Sequence, residues 1–246
     1  MRIRSSALFL LTSILVGVGC VRLGFWQLDR LAQRRARNAV ASARLGLPIR
    51  DLVAGPQGRA VESYQRVRIA GTFEFAREVA VTARPRDGSP GVHLATPVAL
   101  PGSDTAVLVL RGWVYSPDAA TVDFSRWREP EAVRAEGYAL LFEPDSPLAD
   151  TSLTAPRAVR RLDHALLQRR FGTPLAAYYV LMTAGGAGGD STPARLAEPR
   201  LDEGPHLSYA IQWFLFATIF GAGGALVSFR GATRETAAAA GGLPTS

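Results

Sequence analysis

The sequence predicts a membrane protein of the α+β class, in which two transmembrane helices, one N-terminal and one C-terminal, flank a β-rich, mostly antiparallel soluble domain. Three observations predict it. From Tyr209 to Phe229 there is no charged side chain, and roughly 20 residues at ~1.5 Å rise each span the hydrocarbon core of a bilayer. Behind the short basic start Met1–Arg4, residues 5–21 are apolar or small. Between these runs, short apolar stretches with period-two alternation are broken by Gly and Pro, the pattern of strands with one buried face. The expected organisation is a first transmembrane helix over 5–28, a β-rich extramembrane domain with its linker over 29–203, a second transmembrane helix over 206–229 and a disordered tail over 230–246.

The first helix reads as an uncleaved anchor. No small-residue cleavage site stands out after the apolar run, and Gly17 occupies the position where a lipoprotein signal ending at Cys20 would carry a large aliphatic residue. LGFWQLDR (Leu23 to Arg30) is the helix leaving the bilayer, with Arg22 snorkelling, Trp26 at the interface and Asp29 and Arg30 among the headgroups or beyond. Good helix formers without Pro or Gly carry it to about Arg44. Arg2 and Arg4 flank one side of this span and Arg30, Arg34, Arg35 and Arg37 the other. That bias does not settle orientation, because long domains translocate largely regardless of charge.

In the central segment, Val67, Ile69, Gly71 and Phe73 alternate with polar or small neighbours, and Glu78–Ala83 is a second strand candidate. RPRDGSPG (Arg84 to Gly91) is a turn, after which Val92, Leu94, Thr96 and Val98 share one strand face. His93 falls on the opposite face and reads as a surface or edge residue. AVLVLRGWVY (Ala106 to Tyr115) is the most apolar strand, expected mid-sheet and covered on both faces. Arg111 at its end could recognise an anion, or could simply close a strand beside a packing aromatic. Tyr138, Leu140 and Phe142 form one face of a strand over Glu136–Glu143, and Ala155–Leu162 and Ala177–Thr183 are weaker strands. LDHALLQRRFG reads as a short amphipathic helix ended by Gly172, with His164 on its wet face, and Thr183–Pro199 reads as a flexible linker.

Composition narrows the function. The 246 residues carry a formal charge of +7 and all 28 basic side chains are Arg. They are scattered and no nucleic-acid motif accompanies them, so even Arg usage reads as genomic base composition and nucleic acid is not an expected partner. The one cysteine, Cys20, lies in a span, which excludes a thiol nucleophile or CxxC centre. There is no GxSxG, P-loop, dinucleotide fingerprint or HExxH. His93, His164 and His206 leave a serine hydrolase formally open, yet nothing selects a nucleophile. No catalytic residue is expected.

Four blocks then resemble the surfeit locus protein 1 (Surf-one or Shy-one) family of cytochrome c oxidase assembly factors. In the family's order they are LGFWQLDR; GTF (Gly71 to Phe73) with DGSPGVHLATPV (Asp87 to Val98); LVLRGWV (Leu108 to Val114); and HLSYAIQWFLFA (His206 to Ala217). Tyr115 stands where the family usually has Pro, and Phe73 where tyrosine is common. The resemblance implies two spans with the central domain periplasmic in a bacterial inner membrane, or facing the intermembrane space if mitochondrial. It implies haem a as cofactor, cytochrome c oxidase subunit one and haem a synthase as partners, His206 as ligand to the haem iron and Trp213 as a further haem contact. The runner-up is a membrane-tethered scaffold that holds an oxidase subunit without touching haem.

The residues themselves add to this. His206 sits in the first turn after Gly204 and Pro205, and a helix N-terminus suits a neutral imidazole with a lone pair free for iron. His206, Tyr209 and Trp213 share one face of a 3.6-residue helix, beside Ala210, Phe214 and Ala217. That makes an aromatic groove suited to a macrocycle, although an ordinary interfacial belt is the readier account of Tyr209. Small residues at Gly17, Cys20 and Gly24, and at Gly221, Gly224 or Ala225, and Ser228, let the two spans pair antiparallel, with Gly17 expected near Gly224. The second axial ligand stays open: His206 of another copy, a residue of the oxidase, or none.

Overall fold

The computed structural model describes residues 2–52, 61–142, 157–186 and 188–240, and they form two compact units, 1–39 with 202–246 and 40–201. Helix α1 (Arg2–Leu45) begins in the first unit and ends in the second. Helix α3 (His206–Ala240) belongs to the first. Both are long and apolar enough to cross a membrane over Leu8–Leu45 and His206–Arg230, and only 17% and 11% of their apolar windows are buried. Core helices of a soluble protein would be mostly covered. The backbone is helical through 230–240, where disorder was expected; 241–246 lie outside the described residues.

The second unit is an eight-stranded mixed sheet: β1 (Arg50–Leu52), β2 (Arg66–Phe73), β3 (Val79–Val81), β4 (Gly91–Ala99), β5 (Ala106–Tyr115), β6 (Ala132–Leu141), β7 (Ala158–Val159) and β8 (Leu175–Gly185), in the order β1-β2-β6-β8-β5-β4-β3-β7. A further β2–β4 pairing, Thr72 with Ala99 and Phe73 with Val98, closes β2, β6, β8, β5 and β4 into a ring. Closure removes the free edges of these five strands. The expectation of a mostly antiparallel sheet is corrected, because β1–β2, β3–β7 and the central β5–β8 pairs are parallel. Short helix α2 (His164–Phe171) lies directly before β8 and returns the chain for its parallel run. Asp163 caps α2 by accepting from the Leu166 N–H at 2.7 Å, and Gly172 ends it in the left-handed region at φ 64°.

Alternation places Val67, Ile69 and Phe73, Val98, Val107 and Val109, Val133, Ala135 and Ala139, and Val180 and Met182 in one buried cluster. On β6 unbroken alternation turns Val133, Ala135 and Ala139 to that cluster, and the register shift opposite Glu136 and Gly137 leaves Thr183 of β8 as the extra residue. Tyr138 and Leu140 alternate with Ala139 and so keep the shared face expected for them, and Tyr138 donates its hydroxyl to Glu198 at 2.6 Å. Outside the ring, Leu167 and Phe171 of α2 pack with Ala95, Leu108 and Leu110. β5 runs between β4 and β8, buried from Ala106 to Gly112, as its composition predicts.

Arg111 is fully buried. The β4–β5 register slips there, with Ala95 opposite Leu110 and Leu94 opposite Gly112, so Arg111 is the extra residue of a bulge. Its Nε donates to Thr96 Oγ1 at 2.8 Å, its Nη1 to Glu129 at 2.7 Å and its Nη2 to Glu78, and both carboxylates are buried. The guanidinium lies 5.4 and 5.0 Å from the ring centres of Phe73 and Phe75. Arg195 completes the cluster on Glu129 and donates to the Arg111 carbonyl at 2.8 Å. Two carboxylates already satisfy Arg111, so it is a structural cation and not an anion receptor. A single Arg inside an apolar strand is itself the signal for buried carboxylates.

The stretch expected to be a loose linker is tied to the sheet. Trp113 and Ala194 exchange backbone hydrogen bonds at 2.7 and 2.9 Å, and the Leu196 N–H reaches the Met182 carbonyl.

Candidate functional site

Within the first unit, α1 and α3 pack antiparallel along small residues. A Cβ on Gly224 would lie 2.9 Å from Ser13 Cβ, one on Gly17 would lie 3.8 Å from the Ala217 carbonyl, and one on Gly24 would lie 2.6 Å from the Phe214 ring. Phe25 and Phe214 add an edge-to-face contact at 5.4 Å. The anticipated pairing of the two helices is therefore present, with one correction. Gly224 meets Ser13, one turn from Gly17, and Gly221 has nothing within 4 Å.

Beyond Phe214 and Gly24 the seam turns polar. His206 Nδ1 lies 2.9 Å from Gln27 Oε1. Two turns further along α1, Arg34 Nε and Asn38 Nδ2 donate to the Asp202 carbonyl at 2.8 and 3.1 Å, and Arg35 makes two 2.9 Å hydrogen bonds to the Glu203 carboxylate. Glu203 holds the Arg35 guanidinium above its usual range, and Arg35 in turn holds the Glu203 carboxyl below its own. Together these contacts fix the segment that starts α3. Gly204, at φ 72°, accepts the sharp turn, and its N–H donates to Asp202 Oδ1 at 2.8 Å.

His206 is half-buried. A carbonyl oxygen accepts, so Nδ1 donates its proton to Gln27, and in the neutral ring Nε2 then carries the lone pair. A Cβ on Gly204 would lie 3.6 Å from Nε2; glycine there leaves that side of the ring uncovered. Trp213 is half-buried and meets Phe216 edge-on at 5.9 Å, while Tyr209 is 46% exposed. The three candidates keep to one side of α3, but Ala210, expected beside them as part of a groove, is buried and Phe214 is packed on α1. The two aromatics flank the helix seam instead of lining a slot inside it.

Gln27 was missed from the sequence. It continues the Gly17–Cys20–Gly24 stripe by one more step of three, so a polar residue on a close-packing face was the available signal.

The other two histidines are corrected. His93 lies on interior strand β4 between β3 and β5, opposite Val81 and Trp113, not at an edge. Burial and the nearby Arg84 and Arg86 push its pKa down to about 4. His164 is half-buried, with Nε2 3.1 Å from the Leu175 carbonyl and its ring 5.0 Å from Phe142, instead of on a wet face. Among the described residues neither hydrogen-bonds a serine. Nor do three His, Cys, Asp or Glu side chains cluster there to hold a metal ion. A haem iron needs only one such donor from this chain.

No curated protein matches the chain. Residues 14–218, well over half of it, match the model of the SURF1 family, a family of assembly factors associated with cytochrome c oxidase. The match takes in α1 from Ile14, the whole sheet domain, and α3 as far as Thr218, including His206, and the chain belongs to the SURF1 family.

Proposed function

We propose that this chain spans the bacterial inner membrane, or the mitochondrial inner membrane in a eukaryote, through α1 and α3, and carries haem a to cytochrome c oxidase. The sheet domain lies on the periplasmic or intermembrane-space side. Haem a is the cargo, received from haem a synthase and passed to oxidase subunit one. His206 holds the iron through Nε2, and Tyr209 and Trp213 flank the macrocycle.

The observation that carries this reading is the state of His206: one ring nitrogen is engaged by Gln27, and the other is a free donor beside a glycine. Haem ligands of this kind have their second nitrogen held by an oxygen acceptor, which sets ring orientation and tautomer. Bound haem supplies the redox-active iron centre that the oxidase needs. This chain contributes the imidazole, the aromatic flank and a polar clamp at the helix start.

A second reading has its own support. Ala210 and Phe214, which would have lined the deeper groove, are taken up by packing on α1. A scaffold that holds an oxidase subunit through its sheet domain and never touches haem fits that fact. Purification from cells that make haem a, followed by visible spectroscopy of the native protein and His206→Ala, separates the two. A haem band lost in the variant supports ligation by His206. A band unchanged by the substitution removes His206 as ligand, and no band in either protein favours the scaffold.

A further inference from the structure

We infer that Gln27 is the positioning residue of the His206 site: its side-chain carbonyl fixes the Nδ1–H tautomer and so presents Nε2 as the donor. This deepens the haem reading and rests on it for its purpose; the hydrogen bond itself does not.

The two residues are 179 positions apart and meet because α1 and α3 approach closely. Gly24 admits the Phe214 ring, and Ala210, one turn into α3 from His206, is buried. Gln27 lies one turn past Gly24, level with the start of α3. A free neutral imidazole favours the proton on the nitrogen remote from the backbone, Nε2, where it would block ligation from that side. An acceptor 2.9 Å from Nδ1 reverses the preference. The main-chain clamps of Arg34 and Asn38 on Asp202, and the Arg35–Glu203 pair, hold the start of α3 against α1. They keep the imidazole within reach of Gln27 without touching the ring. The groove along α1, of about 700 Å³ and lined by residues that include Val18, Val21, Arg22, Phe25, Trp26 and Asp29, includes neither residue.

The test uses full-length protein in lipid, labelled with ¹⁵N-histidine. There are three histidines, and His206→Ala identifies its own signals by their loss. The expected result is a protonated Nδ1 and an unprotonated Nε2 at His206 in the haem-free protein. Gln27→Leu moves the proton to Nε2, whereas Gln27→Glu, which keeps an acceptor at the same reach, retains it on Nδ1. With haem a as the probe, Gln27→Leu weakens binding roughly ten- to a hundredfold, the range for loss of a partner behind a metal-bound His, and Gln27→Glu recovers most of it. Retained disulfide formation between Ser13→Cys and Gly224→Cys, in a Cys20→Ser background, shows that the helix pair survives Gln27→Leu.

A proton on Nε2 in the native protein, or a tautomer unmoved by Gln27→Leu with the helix pair intact, overturns the inference. A tautomer that responds as expected in a protein that never binds haem a upholds Gln27 as the residue that positions His206 and refutes the haem reading instead.

Discussion

Arg111 offers the sharpest test of how the sheet domain is held together. Its guanidinium is inaccessible to water, as are the carboxylates of Glu78 and Glu129, each only 1% exposed. Replacing it with Met keeps much of the volume and removes the charge. Glu129 retains Arg195, but among the described residues the cation left in ion-pair range of Glu78 is Arg157, 4.0 Å away and 40% exposed. The variant therefore leaves one buried carboxylate nearly uncompensated, which costs about 3–5 kcal/mol. Loss of the cation–π contacts to Phe73 and Phe75 acts in the same direction. For a domain of this size that corresponds to a fall in Tm of roughly 6–20 °C. The assay is thermal and urea unfolding of the full-length protein in detergent, followed by intrinsic fluorescence, since Trp113 and Trp127 both lie in the sheet domain. Adding Glu78→Gln to Arg111→Met removes the stranded charge and restores part of the loss, so the two substitutions are strongly non-additive. A loss below about 1 kcal/mol, as for an exposed ion pair, or simple additivity of the two changes, refutes the reasoning.

Two further outcomes follow from other parts of the molecule. In a Cys20→Ser background, cysteines at Ser13 and Gly224 crosslink readily, while a pair at Leu15 and Ile219, each 63% exposed, does not; equal yields would mean that the helices do not pack as described. His93 makes the sheet domain acid-sensitive. Its folded pKa of about 4 lies below the 6.5 of a free imidazole, so the unfolded chain binds the proton more readily. The contribution of the buried neutral ring is complete above pH 6.5 and is lost as pH falls toward 4, worth about 3 kcal/mol in all. His93→Phe flattens this stretch of the stability–pH curve, and an unchanged slope in the variant would assign the acid sensitivity to other groups.

The sequence by itself determined the features that depend on neighbours along the chain. Two helices long and apolar enough to cross a membrane follow from length and composition alone, because in lipid each helix satisfies its own backbone. The strand faces Val67–Ile69–Phe73 and Val92–Leu94–Thr96–Val98, the buried strand over Ala106–Tyr115, and the Gly172 end of α2 follow from local periodicity and capping. The four blocks were enough to suggest the family. The tertiary structure decided what depends on partners far along the chain. Closure of β2 on β4 and the parallel β5–β8 pair are pairings between distant strands, and no local pattern encodes which strand returns beside which. Arg111 could be read as an anion receptor until Glu78 and Glu129, 33 and 18 residues away, were seen to enclose it. His206 could be named from its place at a helix mouth, but the proton on Nδ1 depends on Gln27, 179 residues earlier, brought within 2.9 Å only by the close approach of two helices.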